Sequence, residues 1–394
     1  MNVNTIANNI VTLPIHSQMN NLKKTNNKFV NDSINLNNSP NAIYNVMFKA
    51  NISKPLSIVE RYEGCLLGGA LGDAFGAPIE KDSIQYIKYK FKGNLNHLLK
   101  NKDGISEFSD DTQMTLFTIE GLTKAVLRFP TDSVKFYKEI LKSYQNWYKT
   151  QMQNVVSDNS NGLMSIPILY KQCAPGDTCL SAIKSGKFGT ISAPINDSAG
   201  NGGIMRIAPV GLLYSKNPDV AFKVGASIAA LTHGNARAYL PAGYMSALIS
   251  NLSNGKNLMD AINDSNKILS SYPEHKCVLD KINLALELSK KDINDTKAIE
   301  KIGAGWTGDE ALAIALFSNL RHMNDFKHTI ISAANHSGDS DTTAAIAGNI
   351  SGIINGTSNI PTSWKKSIEL KELLSQYAKY LNTLSNVNLI PSLY

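Results

Sequence analysis

Several absences narrow this chain before any motif does. No run of about 18 apolar residues occurs in its 394 residues, so no membrane span is expected. The start lacks a basic stretch leading into an apolar one, so no ordinary secretory signal is expected. Cysteines are few: Cys65, Cys173, Cys179 and Cys277, none in CxxC spacing. That argues against a disulfide framework or a thiolate metal site and fits reduced thiols in a cytoplasmic protein. Strand signals are sparse, and no repeat of fixed period is present. The balance of 43% hydrophobic and 18% charged residues is that of a globular protein with a sizeable core.

Acids are nearly missing from residues 1–55. That stretch holds fifteen Asn, five Lys and a single acid, Asp32, with apolar residues scattered and unperiodic. It cannot bury enough area to offset its ordering entropy and is expected to be largely disordered in isolation. Residues 6–15 and 42–48 are its two pieces able to order. It is either a dispensable tail or an arm that docks on a partner or on its own domain, and the folded domain is placed at 56–394. The net charge of +7 suits an anionic small substrate. No nucleic-acid surface is expected, because the nearest basic patch, Lys88-Tyr89-Lys90-Phe91-Lys92, is short and isolated. Its alternation fits a small exposed strand.

What is abundant is acid at two helix starts. Gly338-Asp339-Ser340-Asp341-Thr342-Thr343 runs into Ala344-Ala345-Ile346-Ala347-Gly348, a stretch small and apolar enough to be a buried helix. One cap residue would suffice there, so the second Asp is surplus. Ser109-Asp110-Asp111-Thr112 repeats the arrangement before an apolar helix expected over 117–127. A helix N-terminus repels cations, so a metal is tolerable only where carboxylates overcompensate. Both clusters do. Their pooled oxygen donors, Ser109, Asp110, Asp111, Asp339, Asp341 and Thr342, suit two hard divalent ions. Such pairs sit about 3.5–4 Å apart in hydrolytic sites. The small residues after Thr343 are expected to let their helix approach the 111–127 helix, so that both acidic ends share the ions.

Other stretches carry weaker signals. Glycines 64, 68, 72 and 76 line one face of a helix and demand that another backbone approach it. Asp73 within that row is a candidate buried acid, and Glu80, just after Pro78, is placed to project from a loop. Ser198-Ala199-Gly200-Asn201-Gly202-Gly203-Ile204-Met205-Arg206 is a loop able to offer amides to phosphate at the start of a helix expected near Met205. Arg206 either adds charge there or pairs with a buried acid. His233 has a structural reading as well as a functional one. Asp177 fits a helix cap, and Asp309 and Glu310 the first turn of a helix. A last helix is expected over 363–383.

Taken together, the Gly64–Glu80 segment, Ser109–Thr112, Gly200–Arg206, Leu231-Thr232-His233, Gly305-Trp306 with Glu310-Ala311-Leu312, and Gly338–Ala344 resemble the ADP-ribosylglycohydrolase (DraG-like) family. They occur in that family's order across 58–356. The resemblance implies a single compact all-α domain with two Mg²⁺ or Mn²⁺ ions. It implies hydrolysis of the N- or O-glycosidic bond joining ADP-ribose to a protein side chain, and the leading reading of that side chain is arginine. Ser109, Asp110, Asp111, Asp339, Asp341 and Thr342 fall on its metal-ligand positions, and Glu80, Asp111 and Asp339 are the candidates for proton transfer. Ser198, Gly200, Asn201 and Gly203 match its diphosphate and ribose loop, and His233 a substrate-contacting histidine. Ala199 departs from the aromatic that some O-linkage members carry. Cys173-Ala174-Pro175 offers no counterpart of the extra acid used by arginine-specific members. The alternative is an immunity protein whose residues 1–55 occlude a cognate ADP-ribosyltransferase toxin.

Overall fold

The computed structural model describes residues 56–153, 155–156 and 160–386. The 1–55 segment, with its two pieces expected to order, lies outside the described residues. Among those described there are sixteen α-helices and no strands, only isolated bridges between Ser106 and Ile368 and between Gly200 and Thr307. In chain order they are α1 Ile58–Gly76, α2 Ile84–Phe91, α3 Asp110–Arg128, α4 Ser133–Met152, α5 Asp177–Lys184, α6 Ala208–Leu213, α7 Pro218–Ala230 and α8 Ala236–Ser253. Then follow α9 Leu258–Leu269, α10 Lys276–Ser289, α11 Asp295–Ile302, α12 Gly308–Arg321, α13 Phe326–Ala334, α14 Ser340–Asn355, α15 Thr362–Ser367 and α16 Lys371–Ser385. None is long and apolar enough to cross a membrane.

The core is built on α1 and α14. A capping box starts α1: the Glu60 N–H donates to Ser57 Oγ at 3.2 Å, and the Ser57 N–H to Glu60 Oε2 at 2.8 Å. From Gly64 to Gly76 every residue of α1 is buried, as is every residue of α14 from Ser340 to Ile353. Helices buried all round need partners on every face. The glycine row supplies the closest one. A Cβ on Gly64 or Gly68 would lie 2.2 Å from the carbonyl oxygen of Gly352 or Gly348, and one on Gly72 would lie 2.0 Å from that of Ala344. The pairing is antiparallel, so Gly76 ends against Ser340 and Asp341, where an added Cβ would meet the Asp341 Cα at 2.4 Å. The glycines thus carry the C-terminal end of α1 to the acidic start of α14.

Several expectations are corrected. The partner of the small-residue helix is chiefly α1, and its contact with α3 is slight. Residues 84–91 form α2, not a strand: Ser83 Oγ accepts the Tyr86 N–H at 3.2 Å, and Ile84 and Ile87 bury one face at helical spacing. The alternating lysines are its solvated side. Helix α3 begins at Asp110, so both acids lie inside its first turn. Asp177 is the first residue of α5 and Gly176 its N-cap, with no side-chain cap bond. No helix starts at Met205: Asn201–Gly203 is a 3₁₀ turn and α6 begins at Ala208. The last expected helix is two, α15 and α16, with Leu370 at φ 49° between them.

Candidate active site

The two acid-rich starts meet. Thr342 Oγ1 donates to Asp111 Oδ1 at 3.3 Å, across 231 residues of sequence. Ser109 caps α3 by accepting the Asp111 N–H at 3.2 Å. Asp73 fixes this start from α1: it accepts the N–H groups of Ser109 at 2.8 Å and Thr112 at 3.0 Å, and the Thr112 hydroxyl. Asp110 Oδ2 accepts the Gly176 N–H at 3.1 Å. At the other start Asp339 caps α14, accepting the Thr342 N–H at 3.3 Å, while Asp341 Oδ1 accepts it at 3.0 Å. Gly338, at φ 145°, turns the chain so closely beneath Ala304 that a Cβ would lie 2.0 Å from its carbonyl oxygen.

These carboxylates are buried and crowded. Burial pushes the Asp110, Asp111 and Asp341 carboxyls well above the usual range, and the neighbouring acids push them further. Asp73 is pushed up to about 6, mainly by burial and against the bonds it accepts. Asp111 Oδ2 is buried with no hydrogen-bond partner. An orphaned carboxylate oxygen within a cluster of like charges is an environment short of positive charge, and the donors are all hard oxygens, so their chemistry fits a divalent cation. Their geometry is less complete. Among the described residues no three His, Cys, Asp or Glu side chains form a ready-made metal cage.

Glu80 follows the turn Ala77–Ile79, and the Lys81 N–H donates to the Gly338 carbonyl at 3.2 Å, tying this loop to the Asp339 start. Burial raises the Glu80 carboxyl, the Lys81 ammonium at 3.1 Å opposes that, and the Asp339 charge adds to it. On the opposite side Asn201 Nδ2 donates to Asp339 Oδ2 at 2.7 Å and to the Gly305 carbonyl at 2.8 Å. Asn201 thereby joins the glycine-rich loop to the acids. The Gly200 N–H donates to Ser198 Oγ at 3.3 Å. Gly203 packs on α7, where a Cβ would come within 2.8 Å of that of Ala229.

His233 lies beneath this loop, 2% exposed, with Nδ1 2.8 Å from Thr232 Oγ1. Burial, then the Arg206 charge, pushes it down to about 3, so it is neutral at physiological pH. Arg206 is fully buried and pairs with no carboxylate among the described residues. Its Nη2 donates to Thr232 Oγ1 at 2.6 Å, and its guanidinium covers the Tyr144 ring at 4.3 Å. Three contributions were not evident from sequence: the clamp made by Asp73, the Gly176 amide, and Trp306. Trp306 is 42% exposed, and its carbonyl accepts the Asn201 N–H at 3.2 Å. The Gly-Trp pair was visible, but nothing in it indicated an exposed ring beside the loop.

A helical shell thus surrounds buried carboxylates, with the glycine-rich loop tied to them through Asn201. The chain belongs to the ADP-ribosylglycohydrolase family, whose model matches residues 54–389. Relatives include ADP-ribosylhydrolase ARH3 of Gallus gallus, 26% identical over 85% of this chain and 96% of its own. The ADP-ribosyl-[dinitrogen reductase] glycohydrolase of Rhodospirillum rubrum is 24% identical over 80% of this chain and 92% of its own. A solved structure titled ADP-ribosylglycohydrolase-related protein complex shares the fold at a TM-score of 0.57, with 23% identity, covering 83% of this chain and 99% of that one. The protein is a glycohydrolase that removes ADP-ribose from modified substrates.

Proposed function

We propose that this hydrolysis is metal-dependent and that the modified group is an arginine side chain of a protein. The observation that carries the metal is the junction of Asp111 with Thr342, which pools four buried carboxylates and leaves Asp111 Oδ2 without a partner. Asp110, Asp111, Asp339 and Asp341, with the Ser109 and Thr342 hydroxyls, would hold two Mg²⁺ or Mn²⁺ ions. Such ions supply Lewis acidity, which lowers the pKa of water and orients the ribose hydroxyls beside the scissile bond.

The remaining work falls to the chain. Glu80, partly buried and raised in its titration, moves the proton between water and leaving group. Asp111 and Asp339 flank the reacting centre. The diphosphate lies along the Ser198–Gly203 loop, whose Gly200 and Asn201 amides are held by Ser198 Oγ and the Trp306 carbonyl, and the exposed Trp306 ring offers a stacking face to the adenine that Ala199 cannot. His233, kept neutral under the loop, supports it without adding charge. Removing one carboxylate should break the site. Asp110→Ala and Asp341→Ala are each expected to lower turnover at least a hundred-fold at saturating Mg²⁺, with helical content unchanged by circular dichroism. Turnover at the wild-type level in either variant would refute the assignment. The immunity alternative rests on residues 1–55, and no feature of the described fold favours it.

A further inference from the structure

A pocket of about 440 Å³ opens beside the acid cluster. Glu80 and Ser109 line it, and no residue of 198–203 does. With the loop claimed by the nucleotide, this pocket is left for whatever the ribose is attached to. Its walls are of two kinds. Pro78, Leu99 and Ile105 are apolar, whereas Glu107, Lys171 and Lys100 are charged.

Glu107 stands two residues before Ser109 on the segment leading into α3. Its Oε1 accepts from Asn101 Nδ2 at 2.9 Å, and its Oε2 is held by the Lys171 ammonium. Behind it Glu369 is 7% exposed. Burial and the Glu107 charge push that carboxyl up to about 7, against the pull of Lys171. Lys171 is thus paired with Glu107, and Glu80 with Lys81. A seryl acceptor, with one methylene and no charge, would use neither the apolar walls nor the acids. An arginyl acceptor would use both.

Resting on the hydrolytic reading above, we propose that this pocket is the acceptor subsite and that Glu107 reads the guanidinium of an ADP-ribosylated arginine, displacing Lys171 as it binds. A planar guanidinium meets a carboxylate through two parallel hydrogen bonds, whereas an ammonium offers a point charge, so the exchange favours arginine. Its methylenes lie along Pro78, Leu99 and Ile105. Hydrolysis then forms a C–O bond at the ribose, breaks the C–N bond and returns a proton to the departing guanidine, all within reach of Glu80. Lys171 is a placeholder that keeps Glu107 compensated while the pocket awaits substrate.

The test uses the full chain, with peptides carrying ADP-ribosylarginine or ADP-ribosylserine as substrates. Release of ADP-ribose is timed for wild type, Glu107→Gln and Lys171→Met, and binding of free ADP-ribose is titrated in parallel. Wild type is expected to prefer the arginine conjugate. Glu107→Gln should lower kcat/KM for it ten-fold or more, mostly through KM, while retaining ADP-ribose affinity. Lys171→Met should lower KM. An unchanged arginine-to-serine ratio in Glu107→Gln, or a wild-type preference for serine, overturns the inference and leaves the hydrolase standing. Release from neither conjugate by an ADP-ribose-binding protein overturns both.

Discussion

Asp73 shows how one side chain organises the start of a helix around it. Its carboxylate takes the N–H groups that α3 leaves unpaired at its start, and so fixes Ser109, Asp110 and Asp111 in place. The cost is a further negative charge among acids already raised in their titration. A carboxyl whose folded pKa lies above its unfolded value near 4 contributes stability that is full below that value. This stability is lost as pH rises through the folded pKa, about 6 for Asp73 and well above the usual range for Asp110, Asp111 and Asp341. Protons and cations compete for the same oxygens. Mg²⁺ should therefore raise the melting temperature more at pH 8 than at pH 5, each measured against a chelator control. An equal rise at both, or none at pH 8, would show that the cluster does not take the ion.

Between elements, the decisive contact is that of α1 with α14. In an open helix Gly→Ala gains up to about 1 kcal/mol. At Gly72 the added methyl would meet the Ala344 carbonyl oxygen at 2.0 Å, so the two backbones must part. Gly72→Ala is expected to destabilise by about 2 kcal/mol or more in denaturant titration and to lower turnover by moving Asp341 away from Asp111. A neutral or stabilised variant would mean that the pairing is not tight. Sequence showed that the glycine face needed a backbone, because four glycines at helical spacing are otherwise unfavourable. It did not show whose, since α3 and α14 were both small-residue or acid-led helices and only the three-dimensional packing separates them. Caps and acids were legible because each is local. Lys88–Lys92 misled because a period of two over five residues competes with one turn of helix, and the buried Ile84 and Ile87 decide between them. Glu107 gave no signal at all, as its partner Lys171 is 64 residues away.

Over the whole molecule, four distant segments converge on one point. The glycine row brings Asp73 and Glu80, α3 brings Asp110 and Asp111, Asn201 ties in the glycine-rich loop, and α14 closes the cluster with Asp339 and Asp341. The pocket lined by Glu80, Ser109 and Glu107 contains no residue of 198–203, so the proposed acceptor and nucleotide subsites use different walls. The central claim is that the pooled carboxylates work through a divalent ion. Free ADP-ribose released from an ADP-ribosylated arginine protein should be measured in excess chelator and then across a Mg²⁺ titration at pH 8. The account predicts negligible release in chelator and a saturable return of activity with Mg²⁺ or Mn²⁺. Equal release under both conditions, or none at any metal concentration, would contradict it.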